Sequence, residues 1–260
     1  MYFTWLDSNS WLFEIGEKRI LVDPWLVGSL VFGNLPWLFK GEKHAPRPIP
    51  DRIDIILLSQ GLEDHAHTPT LKQLDKNIPV VASPNAAQVA RDLGYTQVTA
   101  LAHGATFQLG DRVEIRAVPG SPIGPMLVEN GYVIRDRDTN YSLYYEPHGY
   151  HSSALDELAP IDVVITPIVD LKLPLVGSII QGTKSALELA ERVRPQVMLP
   201  TAEAGDVTYE GLLISALKAV GNVEDFRSSL ARKNLPTRVL KPQPGERFEV
   251  ELERRETSVA

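Results

Sequence analysis

Apolar residues along this chain gather in short runs, many alternating with polar positions, and only a few stretches carry helical spacing. Tyr2–Leu6, Ser10–Ile15 and Arg19–Val22 read as strands, with Gly16-Glu17-Lys18 turning between the last two. Asp54-Ile55-Ile56-Leu57-Leu58 is a continuous apolar run, the pattern of a strand buried on both faces. Strand and helix then alternate: a helix near Thr70–Leu74, a strand at Val80–Ala82, and a helix over Asn85–Leu93 ended by Gly94. Val98–Leu101, Thr106–Leu109 and Val113–Val118 predict a meander, followed by Gly131–Arg135 and Tyr141–Tyr145 around a polar turn. A short helix near Ser153–Leu158 precedes the buried strand Val163–Thr166. Ala186, Leu187, Ala190 and Val193 mark a helix over Thr183–Val193. Val197–Leu199 is a strand, Glu210–Val220 and Val223–Lys233 are helices, and Arg238–Leu240 with Phe248–Leu252 complete the sheets. The tail from Arg254 is expected to fray.

Each half thus begins with hairpin strands and moves into strand-helix alternation. That order predicts an α/β (α+β) fold: a four-layer αββα sandwich of two mixed β-sheets in one domain, residues 1–260. Two separate α/β domains are the alternative. The apolar stretch from Ile20 to Phe39 is long enough for a membrane span and holds one charge, Asp23. Pro24, Gly28, Gly33 and Pro36 interrupt it, so no transmembrane segment is expected. The start of the chain has no basic leader, and a soluble, cytoplasmic protein is the expectation. Composition narrows the chemistry further. The 260 residues include 43% hydrophobic and 23% charged positions, ordinary for a globular chain. There is no cysteine, which removes disulfides, thiolate zinc sites and a cysteine nucleophile. A net charge of −7, from 26 basic and 33 acidic residues, argues against nucleic acid as a partner.

Loops at the ends of buried strands are where ligands gather in such a layout. After Ile55–Leu58 comes Ser59-Gln60-Gly61-Leu62-Glu63-Asp64-His65-Ala66-His67, a dense set of carboxylates and imidazoles. Such a set suits a divalent cation, or a general base with its orienting group. In the plainer alternative Asp64 caps the helix near Thr70 and the histidines lie at the surface. Tyr145-Glu146-Pro147-His148 offers a second set, with Glu146 and His148 on one face if the strand persists. Val118-Pro119-Gly120-Ser121 carries no titratable group, and Glu203 and Asp206 follow the strand at Val197.

Three of these segments carry a family resemblance. Trp5-Leu6-Asp7-Ser8-Asn9-Ser10-Trp11-Leu12, Leu21-Val22-Asp23-Pro24-Trp25 and Asp54-Ile55-Ile56-Leu57-Leu58-Ser59 follow one another as in the metallo-β-lactamase superfamily. The chain resembles its lactonase-like, metal-dependent hydrolase branch from Tyr2 to about Pro200. The resemblance implies the αββα sandwich and hydrolysis of esters, lactones, amides or phosphodiesters with one or two metal ions. The family's metal loop reads Ser/Thr-His-x-His-x-Asp-His. Gln60 and Leu62 stand at the first two histidines here, while Asp64 and His65 match. The third histidine would fall near Gly120 or Ser121, the bridging acid near Glu146 or Pro147, and the last histidine at Ala202.

By this resemblance the first metal site has lost all three histidines, and Leu62 places an apolar side chain where a cation would sit. The second site retains Asp64 and His65, with Glu146 as a third ligand. Glu146 and His148 are the catalytic candidates, one as ligand and the other as proton carrier. One divalent ion (zinc, manganese or iron) in a mononuclear hydrolase of an ester, lactone or phosphodiester is one expectation. A metal-free member binding a small hydrophobic ligand or a protein partner is the other, and a purely structural role the third. The uncharged loop 24–39 is expected to wall the cleft, with Trp25 and Trp37 as anchors and Gln60 and Leu62 beside them. Packing as core, or a homo-oligomer contact, are its alternatives.

Overall fold

The computed structural model describes residues 1–124, 126–174 and 176–255. Of the tail expected to fray, 256–260 lie outside the described residues, while Arg255 is held by Asp162 at 2.8 Å.

Two seven-stranded mixed sheets form the body. The first runs in the order Arg247–Glu249, Tyr2–Trp5, Trp11–Ile15, Lys18–Val22, Ile55–Leu58, Val80–Ala82, Val98–Ala100. The second runs Arg238–Val239, Val197–Pro200, Val163–Thr166, Ser142–Tyr145, Leu127–Asp136, Val113–Ile123, Thr106–Leu109. In both, hairpin strands pair antiparallel and the strands joined through helices pair parallel.

Alternation decides which side chain meets which layer. Phe3, Trp11, Phe13, Ile20, Ile55 and Leu57 point between the sheets, against Val113, Ile115, Tyr132, Leu143, Tyr145 and Val163. The intervening Leu12, Leu21, Ile56 and Leu58 face the helices Thr68–Gln73 and Pro84–Asp92. Val133, Tyr144, Val164 and Met198 face Thr183–Val193 and Val223–Arg232. The result is the four-layer αββα sandwich, because each central strand has an apolar layer on both faces.

Two small sheets were not legible from periodicity. Leu30–Val31, Lys40–Lys43 and Val207–Glu210 form one; Gly177–Ile180, Asp170–Leu173 and Lys218–Val220 form the other. The helix expected over Glu210–Val220 is reduced to Leu212–Ala216 between two strands. Gly211 explains the break: its φ is 113°, and a Cβ there would stand 2.6 Å from the Leu38 carbonyl oxygen. Lys218–Val220 is then drawn into pairing with Asp170–Lys172, a distant partner that overrides local propensity. The hairpin Val113–Ile123/Leu127–Asp136 also runs further than its apolar core predicts. No helix among the described residues is long and apolar enough to cross a membrane.

The apolar loop divides its aromatic residues. Trp25 is fully buried, donates Nε1–H to the Gly28 carbonyl at 2.9 Å, and has the Lys43 ammonium 4.4 Å from its ring. It is core, not a cleft anchor. Trp37 is 63% exposed and lies outside the cavity described below. Replacing Trp25 by phenylalanine is expected to cost about 2 kcal/mol, from lost volume and one lost hydrogen bond. Urea unfolding should show a lower midpoint with an unchanged slope.

Candidate metal centre

The site begins where Lys18–Val22 ends. Asp23 takes a left-handed turn (φ 41°), and its buried carboxylate reaches over the neighbouring parallel strand Ile55–Leu58. It accepts from the Ser59 amide at 2.8 Å, the Ser59 hydroxyl at 2.6 Å and the Tyr145 hydroxyl at 2.7 Å. His65 Nδ1 donates to the same carboxylate at 2.7 Å. This fixes the ring, so that Nε2 faces Asp64 Oδ2 at 3.1 Å. Burial opposes a charge on His65, but Asp64 and Asp23 outweigh it and hold its pKa well above the ordinary 6.5. Asp64 is lowered in turn: burial works against its ionisation, and the charge on His65 prevails.

A second group faces it across the cleft. Glu146 ends the strand Ser142–Tyr145, and its carboxylate receives the amides of His148 at 3.2 Å, Gly149, and Tyr150 at 3.0 Å. His148 Nδ1 lies 2.9 and 3.0 Å from the two oxygens of Glu129, a buried carboxylate on Leu127–Asp136. Burial and the neighbouring Glu129 push Glu146 well above the ordinary carboxyl range. Burial works the other way on Glu129 than its neighbours do; His148 and the Glu146 hydrogen bond keep it low. The two carboxyls thus shift in opposite directions, Glu146 being the one that takes up a proton more readily. The rings of His65 and His148 are 5.1 Å apart.

Asp64, His65, Glu146 and His148, chosen from sequence, thus come together in one cleft. Ligand atoms of Asp64, His65 and His148 lie within 4.8 Å of one another, as do those of Glu129, Glu146 and His148. Glu129 is the residue that sequence reasoning missed. The signal available is one acid in the stretch Leu127-Val128-Glu129-Asn130, just ahead of the strand expected from Gly131, which in the structure begins at Leu127.

The other candidates fall elsewhere. Leu62 is 42% exposed and does not line the cavity, so it does not occupy a cation's place; the turn that carries it bonds its carbonyl to the His65 and Ala66 amides. Gln60 is buried, and its Oε1 has no hydrogen-bond partner. Glu63 ties the metal loop to the apolar loop, accepting from the Gly33 amide at 3.1 Å. His67, not Asp64, caps Thr68–Gln73: Nδ1 accepts from the Thr70 amide at 3.4 Å and Nε2 donates to the Ser29 carbonyl at 3.2 Å.

A cavity of about 760 Å³ opens beside the two groups. Asp64 and His148 lie on its wall with Asn9, Glu203 and Lys241, while Phe32, Phe39, Ile168, Ile180 and Leu217 supply an apolar side. The loop 24–39 therefore contributes to the cleft through its phenylalanines.

The donor set accommodates a divalent cation. Asp23, Asp64, Glu129 and Glu146 are paired with histidines, and no Lys or Arg among the described residues neutralises them. Asp64 Oδ1 is buried without a hydrogen-bond partner. A cation can take the place of protons at such a cluster. The arrangements that could hold it are Asp64–His65–His148 and Glu129–Glu146–His148; Glu146, expected beside Asp64 and His65, falls in the second triad, and His148 belongs to both.

This fold and this cluster define a metallohydrolase-type architecture, and residues 2–202 match the family described as the beta-lactamase superfamily domain. The chain belongs to the metallo-β-lactamase superfamily. A UPF0173 metal-dependent hydrolase from Methanopyrus kandleri is 23% identical over 266 residues, covering 96% of this chain and all of that one. Another from Thermoplasma acidophilum is 25% identical over 190 residues, covering 72% and 76%. In structure, an isothiocyanate hydrolase from Delia radicum gut bacteria superposes with a TM-score of 0.70 at 14% identity, covering 96% and 99%.

Proposed function

We propose that this protein is a metal-dependent hydrolase of an ester or lactone bearing a hydrophobic acyl or aromatic group. The observation that supports it most is the placement of Asp64 and His148 on the wall of a largely apolar cavity. Asp64 and His65 would hold the cation, and Asp23 fixes the His65 ring. A bound divalent ion supplies Lewis acidity, polarising a carbonyl oxygen and acidifying water. The chain's own residues do the rest. Phe39, Ile180 and Leu217 hold the apolar group and exclude water around it. With Nδ1 engaged by Glu129, Nε2 is the atom at which His148 delivers a proton to the leaving group.

The test is an acyl-ester series. Each buried methylene is worth about 0.8 kcal/mol, so kcat/KM should rise at least about tenfold from butyryl to octanoyl esters. Leu217→Asp should flatten that rise. A series that is flat in the unaltered protein would remove the hydrophobic-substrate reading. The replacement of family histidines by Gln60, Leu62 and Ala202 favours a second reading, a metal-free binding protein. Protein purified without chelator or affinity histidines and free of bound metal would support that second reading.

A further inference from the structure

We propose that Glu129 is a metal ligand together with Glu146 and His148, in the space that a histidine expected near Gly120 or Ser121 would need, and that it shifts the site's preference from zinc toward manganese. The proposal rests on the metal-dependent reading above.

The strand register carries the argument. Pro119 pairs with Asn130, but the next pair is Pro122 with Val128. Gly120 and Ser121 therefore stand opposite the single residue Glu129, which is a β-bulge. Bulges re-aim side chains, and this one turns Glu129 toward the strand that would bear the histidine. A Cβ built on Gly120 would lie 2.8 Å from Glu129 Cγ and 3.3 Å from its Oε1. The glutamate occupies the space a side chain at 120 would need. Its position is set from three directions: the Ser121 amide donates to Oε1 at 3.0 Å, His103 Nε2 lies 3.0 Å from its carbonyl, and the Asn130 amide donates to the Ser59 carbonyl at 3.0 Å. That last bond joins the bulge to the loop carrying Asp64 and His65.

The exchange changes the donor chemistry. A histidine at 120 would add a nitrogen; Glu129 adds an oxygen beside that of Glu146, with His148 completing the triad. Carboxylate-rich sets suit manganese better than imidazole-rich ones, which favour zinc. The carboxylate is fully buried and bonded to His148, so it is held in place and is not a solvated acid.

The experiment measures Mn(II) and Zn(II) dissociation constants by equilibrium dialysis on the full chain, with Mn(II) electron paramagnetic resonance as a second readout. Three proteins are compared: unaltered, Glu129→Gln, and Glu129→Ala combined with Gly120→His. Loss of an outer-shell partner already costs 10–100-fold in metal affinity, so Glu129→Gln should weaken Mn(II) by about 100-fold or more. In the double variant the clash with Glu129 is gone, while the 3.2 Å approach to the Gly131 amide nitrogen stays. It should regain Zn(II) and raise the zinc-to-manganese affinity ratio at least about tenfold over the unaltered protein. Should Glu129→Gln fail to fold, by circular dichroism, the double variant decides alone. Unchanged Mn(II) affinity in Glu129→Gln, or no recovery of Zn(II) in the double variant, overturns this proposal and leaves the hydrolase reading standing. An unaltered protein that takes up none of manganese, iron or zinc overturns the hydrolase reading itself.

Discussion

Asp23→Ala is expected to cost about 3–5 kcal/mol of stability and to remove bound metal in the same step. One buried carboxylate here satisfies four donors: the amide and hydroxyl of Ser59, the Tyr145 hydroxyl and His65 Nδ1. Alanine takes the charged acceptor from both buried rings, leaving Tyr145 only the Asn9 carbonyl and His65 Nδ1 only the Ser59 hydroxyl, and leaves His65 beside Asp64 without its orienting carboxylate. It also loosens the junction between the two sheets, since Tyr145 comes from the second sheet and Asp23 from the end of a first-sheet strand. Asp23→Asn keeps the size and an acceptor oxygen, so its loss of stability should be smaller while metal affinity still falls about 10–100-fold. Thermal melts with metal analysis separate the two effects. An Asp23→Ala protein that melts within a few degrees of the unaltered one and keeps its metal would refute this role.

Much of the sandwich was legible because its central strands write their burial in sequence. Ile55–Leu58 and Val163–Thr166 are uninterrupted apolar runs, and both turned out to be central and covered on two faces. Val80–Ala82, Thr106–Leu109 and Thr183–Val193 matched residue for residue. The small sheets were illegible for a physical reason: Lys40–Lys43 and Lys218–Val220 have no apolar alternation and become strands through partners far along the chain. The site divides the same way. Asp64, His65, Glu146 and His148 stood out because they follow strands whose ends were already fixed. Glu129 escaped because its position depends on a bulge, and register shifts leave no local signature. Asp23 was visible as the lone charge in an apolar stretch, but its four bonds come from three other parts of the chain. Trp25 and Trp37 mislead in the opposite direction. Composition marks a loop as apolar, yet which ring goes to core, cavity or solvent is settled by tertiary packing.

Removing divalent metal should lower the melting temperature, and the gap between loaded and stripped protein should widen as pH rises above 6.5. His65 has a folded pKa held well above 6.5 by Asp64 and Asp23 against the effect of burial. A group raised in this way adds stability that is fully present below 6.5 and is lost as pH climbs through the folded value. Glu146 acts in the same direction, since burial and Glu129 raise it above 4.5 and its contribution also declines with rising pH. The acid side is governed by other groups. Burial lowers His151 to about 3 and also lowers His67, so their contributions are present above 6.5 and are lost as pH falls. A cation bound at the metal cluster takes the place of the His65 and Glu146 protons, so the loaded protein does not lose their stability as they dissociate. With metal at about 1,000 times its Kd the stabilisation is about 4 kcal/mol, or about 8–16 °C for a chain of this size. Asp64→Ala should erase the gap at every pH, because the site loses a ligand that faces His65. The check is differential scanning calorimetry across that window, with and without Mn(II). A gap that stays constant with pH would mean that the His65 and Glu146 protons are not the ones the cation displaces.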